Sequence, residues 1–314
     1  MTTSLDTLDD ELKHANLQGH WKLELPANLE PASRLQPMHV RWSELREYLM
    51  RSSDLITVDD AGRRSIELIN PGMAIGGPRW TTHTLQMAFQ VVLPGELAAA
   101  HRHTMAAIRF VVEGGGTFTT VEGDSFLMEP GDLILTPGWT WHDHINESDQ
   151  PIIWIDGLDV PFVFALNAAF IEEFSQPQQP VKRVFRAADA ASTWYFKWQD
   201  AERELQRTGS FDYRHPDGRP TLPSMLCSLH LLRAGTTAPV VRQTAVGIYH
   251  VVRGQGRTSV GDQVFDWQTG DALVIPNWTW FRHEAADGDA VLFRMSDQPL
   301  LEPFGLYREE RSAS

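Results

Sequence analysis

A single cysteine, Cys227, stands among 314 residues, which excludes an internal disulfide and leaves too few thiolates for a sulfur-based metal site. A metal, if one is bound, sits on nitrogen and oxygen. No run approaches the roughly 20 apolar residues that a membrane-crossing helix needs. The acidic opening MTTSLDTLDDELKH also lacks the basic and apolar regions of a secretory signal, so a cytoplasmic protein with no membrane partner is expected. Positive charge is scarce too: 27 Lys and Arg face 41 Asp and Glu, a formal net charge of −14. Binding a phosphate backbone gains from counterion release only where Lys and Arg cluster, so nucleic acid is excluded as a partner. An anionic small molecule would have to be captured by local positive charge.

The length allows one large domain or two of roughly 150 residues. The first eighty residues mix turn-rich pieces with short amphipathic segments such as SELREYLM, Ser43 to Met50. From about Met87 the texture changes. Short β-branched and aromatic runs (MAFQVVL, IRFVVEG, TFTTVEG, DLILTP, PIIWIDGL) alternate with Gly, Pro and Asp at the spacing of an antiparallel sandwich or barrel. Residues 161–174 carry helical spacing, SQPQQP follows, and a second helix is expected over roughly 188–207. After Leu222 the strand-like runs resume.

The second half repeats the first. Gly95, Val111-Val112-Glu113-Gly114 and Gly116 return 140 positions later as Gly235, Val251-Val252-Arg253-Gly254 and Gly256. After a one-residue deletion, Gly131-Asp132, Pro137, Trp139-Thr140-Trp141 and His144 return as Gly270-Asp271, Pro276, Trp278-Thr279-Trp280 and His283. Two copies of one barrel are expected, with the tryptophans in the core. The expected division is an N-terminal extension 1–85, a metal-binding barrel 86–165, a helical connector 166–221, a metal-free barrel 222–300 and a tail 301–314.

His101 and His103 stand two apart, so on a strand both project to one face. His142 lies beyond a hairpin, a Gly-Asp turn and a further strand, which can return it beside the pair. An isolated HxH is more often a pair of surface or barrel-mouth histidines; the surrounding Pro-Gly, Gly-Asp and Trp-His punctuation favours a metal site. The repeat supplies a control. Val241, Gln243 and Phe281 occupy the equivalent positions while the glycines, proline and tryptophans persist, so these histidines are not needed to build the barrel and one metal per chain is expected.

The segment LPGELAAAHRHTMAAIRFVVEGGGTFTTVEGDSFLMEPGDLILTPGWTWHDHINESDQPIIWIDGLDVP resembles the gentisate and salicylate 1,2-dioxygenases, iron-dependent bicupins. General cupins carry a Glu four or five residues after the second His; Thr104 to Ile108 contain no acid, as in this ring-cleaving family. The resemblance implies a mainly β bicupin with a partly helical N-terminal extension and a helical connector. It further implies one Fe(II) on His101, His103 and His142, O2 as co-substrate, a homotetramer, and cleavage of a small aromatic ortho-hydroxy acid between its carboxyl- and hydroxyl-bearing carbons. Three neutral imidazoles leave the iron its full charge and open positions for a bidentate anion and O2.

By motif position the resemblance also assigns Arg109 and Arg64 to the substrate carboxylate, with Arg63 beside Arg64 leaving that register open, and Gln90 to a pocket hydrogen bond. Arg109, six residues after His103, is expected on the same strand face. His144 is a candidate proton relay, although His283 keeps it in the metal-free copy. Alternation points Asp143 away from the cavity. Where gentisate dioxygenases read HRHTQSALRF, this chain reads HRHTMAAIRF, with Met105 replacing a Gln. Gln86 stands at a usual aromatic, and Asn167 near an aspartate that contacts the 5-hydroxyl. Loss of those polar partners points to a salicylate with another 5-substituent, such as nitro, with gentisate itself still open. Two other classes compete: a zinc or manganese cupin isomerase or hydrolase, and a non-enzymatic ligand-binding bicupin.

Overall fold

The computed structural model describes residues 4–23, 29–58, 62–73, 79–186, 192–236 and 238–312, in two units, Met1–Ala32 and Ser33–Ser314. The first unit carries helix Leu5–His14, where Ser4 accepts a hydrogen bond from the Thr7 N–H and Asp6 and Lys13 sit at the ends that suit the helix dipole. No residue of this helix is buried.

The second unit holds two barrels, each a pair of facing sheets. In the first barrel, one sheet runs Tyr195–Phe196, Leu133–Thr136, Ala107–Glu113, Ile152–Leu158, Gln86–Val92 and Ser65–Glu67. The facing sheet runs Ile171–Glu173, Leu97–His103, His142–Asn146, Thr117–Val121, Asp124–Met128 and Arg183–Phe185. The second barrel repeats this order, except that its facing sheet has five described strands and no counterpart to Arg183–Phe185. Each interior has its own apolar cluster, around Val111, Ile134 and Trp154 in the first and around Val251, Leu273 and Leu292 in the second.

All seven residues of Gln86–Val92 are buried, because alternate side chains face the barrel interior and the opposite barrel. Met87, Phe89, Ile108, Phe110 and Ile155 meet Leu229, Ile248, Phe293 and Met295 in one shared core, with Phe110 and Phe293 stacked at 4.2 Å. The sheets approach so closely at Gly157 that a Cβ there would lie 2.3 Å from Met295 Sδ. Burying both faces of these strands is what makes two barrels one compact unit.

The repeat reaches further back than Gly95. Strand Met38–Val40 and helix Trp42–Leu55 precede the first barrel yet attach to the second: the strand pairs with Ala272–Ile275, and the Trp42 N–H donates to Asp271. Strand Tyr195–Phe196 and helix Trp198–Thr208 precede the second barrel and attach to the first, through Leu133–Thr136 and Asp132. Each tryptophan fills the space over a glycine, Gly270 or Gly131. The ion pairs are charge-reversed copies: Arg46 holds Glu113, and Glu202 holds Arg253. Asp159 and Asp297 complete the exchange. Each accepts the backbone N–H of its own barrel's strand entry, Ala106 or Val246, and a hydroxyl from the other barrel, Ser224 or Thr84.

Three expectations need correction. Residues 161–174 are not one helix: the helix is Val160–Ala165, Asn167 turns the chain at φ 53°, and Ile171–Glu173 is a strand paired with Leu97–His103. Backbone pairing with the histidine strand outweighs the helical spacing. The connector has helix Trp198–Thr208 but also four short strands that extend the barrel sheets; residues 188–191 lie outside the described ones. The paired tryptophans are not core. Trp139 is 39% exposed, and the Arg102 guanidinium lies 4.4 Å from the rings of both Trp139 and Trp141. Arg242 sits likewise between Trp278 and Trp280. What repeats is a cation–π clamp whose arginine also pairs with Glu172 or Glu310 on the returning strand.

Candidate metal centre

His101 and His103 end the strand Leu97–His103, and His142 begins the strand His142–Asn146. These strands pair antiparallel with a register shift between Ala98 and His101, and His101 lies directly opposite His142. The loop that returns His142 is pinned to the first strand: the Trp139 N–H donates to the His103 carbonyl at 2.6 Å. Trp139 is left-handed at φ 66°, and Gly138 passes so close to the Thr104 carbonyl that a Cβ would lie 2.5 Å from it. The same bond runs from Trp278 to Gln243 in the second barrel, so the loop belongs to the scaffold and only the side chains decide which barrel holds a metal.

One ligand nitrogen from each of the three rings lies within 4.8 Å of the others. Each Nδ1 faces a backbone carbonyl: Ala99 at 3.0 Å from His101, Met105 at 2.7 Å from His103 and Thr140 at 3.0 Å from His142. Donation there by His103 and His142 leaves their Nε2 with its lone pair, the tautomer a metal needs, while His101 Nδ1 is shared between the Ala99 carbonyl and the Arg63 guanidinium. Nε2 of His142 is buried without a hydrogen-bond partner, and burying such an atom is costly unless something binds it. The donor set therefore fits a divalent transition metal held on nitrogen alone.

Burial, reinforced by the charges of Arg63 and Arg109, pulls the pKa of His101 down to about 3 and that of His103 to about 4, and holds that of His142 well below its usual value. Protons compete with a metal only as pH falls toward these values, whereas an ordinary imidazole begins to compete near 6.5. Metal affinity is therefore expected to stay nearly level from pH 7.5 to 5.5 and to fall steeply nearer pH 4. Metal-binding isotherms at stepped pH check this; a tenfold loss already at pH 6 refutes it.

Arg109 lies inside the barrel, 4% exposed, but not by strand continuation from His103. The chain turns at 104–106, and Arg109 belongs to the opposite sheet. Its Nη1 donates to Thr136 Oγ1 at 2.5 Å, and its Nε lies 3.3 Å from Asp156 Oδ1. Burial lowers the Arg109 pKa and raises that of Asp156. Arg63, rather than Arg64, is directed at the triad. Arg63 Nη2 lies 2.9 Å from His101 Nδ1, and burial beside Arg109 lowers its pKa to about 10. Arg64 is held on the other side by Glu96 and the Ile56 carbonyl, since neighbours on an extended chain point to opposite faces. Two guanidinium groups thus stand beside the triad, Arg109 paired with Asp156 and Arg63 directed at His101.

Gln90 sits on the interior face, opposite Trp154 in the sheet. His144 is fully buried, with Nδ1 2.8 Å from Thr119 Oγ1, its ring 5.3 Å from Trp154 and 5.9 Å from His142. The pair Thr258 and His283 repeats this contact at 2.7 Å, so part of its purpose is structural. Asp143 points away and accepts the Gln179 N–H. Met105 is buried, its carbonyl serving His103. Gln86 is not available to a ligand: its amide is spent on the backbone of Thr81, Leu68 and Met87. Asn167 is exposed, and its left-handed backbone closes the helix on Phe164. The sequence reading missed Asp156, Thr136, Thr119 and Trp154. A signal existed for two of them: Thr119 recurs as Thr258, and Asp156 is replaced by Arg294 at the equivalent strand position. A cleft of about 530 Å³, lined by Arg63, Ala99, His101, Glu173 and Phe174 among others, reaches His101 from outside.

Comparison with known proteins agrees with this geometry. A family model described as a cupin domain matches residues 88–160. The 5-aminosalicylate 1,2-dioxygenase of Comamonas sp is 36% identical, over 99% of this chain and 91% of its own. The gentisate 1,2 dioxygenase 1 of Aquipseudomonas alcaligenes is 35% identical, over 90% of this chain and 89% of its own. Among solved structures, the salicylate 1,2-dioxygenase from Pseudaminobacter salicylatoxidans has a TM-score of 0.89 at 28% identity, covering 100% of this chain and 99% of that one; it is also known with gentisate.

Proposed function

Because the chain belongs to the family of gentisate and salicylate 1,2-dioxygenases, cupin-fold oxidoreductases that cleave an aromatic ring, we propose that it opens 5-substituted salicylates at one Fe(II) held by His101, His103 and His142. Bound there, ferrous iron supplies a redox-active centre with positions for the two oxygens of an ortho-hydroxy acid and for O2, a role zinc cannot fill. The observation that carries the reading is the convergence of three neutral imidazoles beside two guanidinium groups, Arg63 and the Asp156-paired Arg109.

Arg109 binds the substrate carboxylate from the position that Asp156 and Thr136 fix, and Arg63 closes over it from the cleft. Trp154 and Gln90 face the ring from the sheet opposite the histidines. His144 acts through Nε2, the nitrogen that Thr119 leaves free, as the group that holds a proton at the substrate hydroxyl. Selectivity follows from what the pocket wall lacks. Gln86 is consumed by backbone, Asn167 is exposed and Met105 is apolar, so nothing at these three positions rewards a 5-hydroxyl, and amino, nitro or chloro groups are admitted.

The chain acts in the cytoplasm as a homotetramer, its division being an extension 1–85, a metal barrel 86–165, a connector 166–221, a metal-free barrel 222–300 and a tail 301–314. No described helix is long and apolar enough to cross a membrane. Oxygen uptake by the iron-loaded protein with salicylate, gentisate and the 5-amino, 5-nitro and 5-chloro acids tests the reading. The substituted salicylates should be turned over at rates equal to or above gentisate. Turnover of gentisate alone would overturn the specificity, and no uptake with any of them would overturn the activity.

A further inference from the structure

The interior of the second barrel is not simply an emptied version of the first. Where Arg109 and Asp156 form an ion pair, the second barrel has Tyr249 and Arg294, so the carboxylate position has become a cation and the cation position a phenol. Arg294 lies on the inner face, opposite Ser228 and Tyr249 in the sheet, and is 8% exposed. Its Nη2 donates to Ser296 Oγ at 2.9 Å, while its buried Nε has no partner. Among the described residues no carboxylate lies within ion-pair distance of it. Glu309, whose charge acts on Tyr249, is engaged by Arg311 and by the Tyr307 hydroxyl.

A second unpartnered group sits beside it. His283 is 9% exposed, and its Nε2 is buried with no hydrogen-bond partner. Thr258 Oγ1 accepts from the Trp267 indole N–H at 2.8 Å and lies 2.7 Å from His283 Nδ1. If Thr258 gives its own proton to Nδ1, Nε2 is the protonated ring nitrogen and can donate. Around these two donors stand aromatic faces, Tyr249 at 4.6 Å and Phe281 at 5.3 Å from the His283 ring. Phe281 occupies the place of the metal ligand His142. A buried guanidinium and a buried imidazole N–H, both missing an acceptor, are costly alone and favourable around an anion.

We infer that the metal-free barrel binds a small organic carboxylate between Arg294 and His283, with its apolar body against Tyr249 and Phe281. A planar guanidinium with flanking aromatic faces suits a carboxylate on a flat or extended carbon frame better than a compact inorganic anion. Two sources share this chemistry: the aromatic acid itself, and the open-chain dicarboxylate that ring cleavage releases. The site does not depend on the iron reading, because none of its residues touches the triad.

Anaerobic equilibrium dialysis of the iron-loaded protein against labelled salicylate tests it without turnover. Two equivalents per chain are expected for the wild type and one for Arg294→Met, while Arg109→Met keeps the equivalent that depends on Arg294. Equal stoichiometry in wild type and Arg294→Met would overturn the proposal; a single wild-type equivalent that Arg294→Met abolishes and Arg109→Met leaves intact would count against the dioxygenase site instead. Displacement of the second equivalent by muconate in preference to salicylate assigns it to product, and the reverse to substrate. Displacement by phosphate or chloride at equal concentration would overturn the carboxylate assignment. Should Arg294→Met fold poorly, wild-type crystals soaked in 5-iodosalicylate give the same answer. An iodine signal in the second barrel, with the acid's carboxylate on Arg294, is expected, and its absence at saturating ligand would refute the site.

Discussion

His142→Phe is expected to remove metal binding and oxygen uptake together while the barrel still folds. The protein contains its own precedent for this substitution: Phe281 holds the equivalent position, pairing with Val241 as His142 pairs with His101, and is 6% exposed in a well-packed interior. An aromatic ring at the start of this strand is therefore compatible with the fold. The ligand is not replaceable. Loss of a group that merely orients a metal ligand costs roughly 10- to 100-fold in affinity or activity, so removing a ligand outright should exceed the upper end of that range. Iron content after dialysis, oxygen uptake and thermal unfolding are the three measurements. Retention of stoichiometric iron with measurable ring cleavage would show that the triad is not the centre. Collapse of the fold would show that the second barrel is a poor guide to the first.

Arg109→Met should lower kcat/KM for salicylate by roughly 10- to 100-fold, the worth of about 1.5–3 kcal/mol in hydrogen bonds to a charged group. The variant should also be less stable, because Asp156 loses the guanidinium 3.3 Å away inside the barrel. Deleting one partner of a buried pair costs about 3–5 kcal/mol, more than the intact pair contributes. The double variant Arg109→Met, Asp156→Asn separates the two effects. It should regain most of the stability, since neither site then carries charge, and should not regain the carboxylate contact. Denaturant unfolding and steady-state kinetics with salicylate and its uncharged amide make the distinction. If the single variant discriminates between acid and amide as well as the wild type does, Arg109 is not the carboxylate anchor.

The histidine triad was legible because two local regularities specify it. HxH on a strand puts two rings on one face, and the repeated loop from Gly131 to Trp141 returns the third at a distance the duplicated scaffold already fixes. The absence of the triad from the second barrel was legible for the same reason, since Val241, Gln243 and Phe281 stand at homologous positions. The tryptophans misled because apolar aromatics at recurring positions read as core. Their partner, Arg102, lies between the two histidines and takes its place between the rings only once the loop has folded back. The extension ahead of the first barrel also carried an unread signal, the likeness of Trp42-Ser43-Glu44-Leu45-Arg46 to Trp198-Gln199-Asp200-Ala201-Glu202. Its meaning is an exchange of arms between barrels, which depends on contacts more than two hundred residues apart such as Trp42 on Asp271.

By itself the sequence determined the duplication, the barrel class and the grouping of three histidines in one copy, because each rests on residue type and short-range periodicity. Tertiary structure alone decided that Arg63 rather than Arg64 faces the triad, that Gln86 is spent on backbone, that Arg109 is balanced by Asp156, and that Arg294 is left without a counter-charge. Those outcomes turn on which buried polar atoms find partners across sheets. That pairing is settled by the packing of strands distant in the chain, where no local pattern reaches.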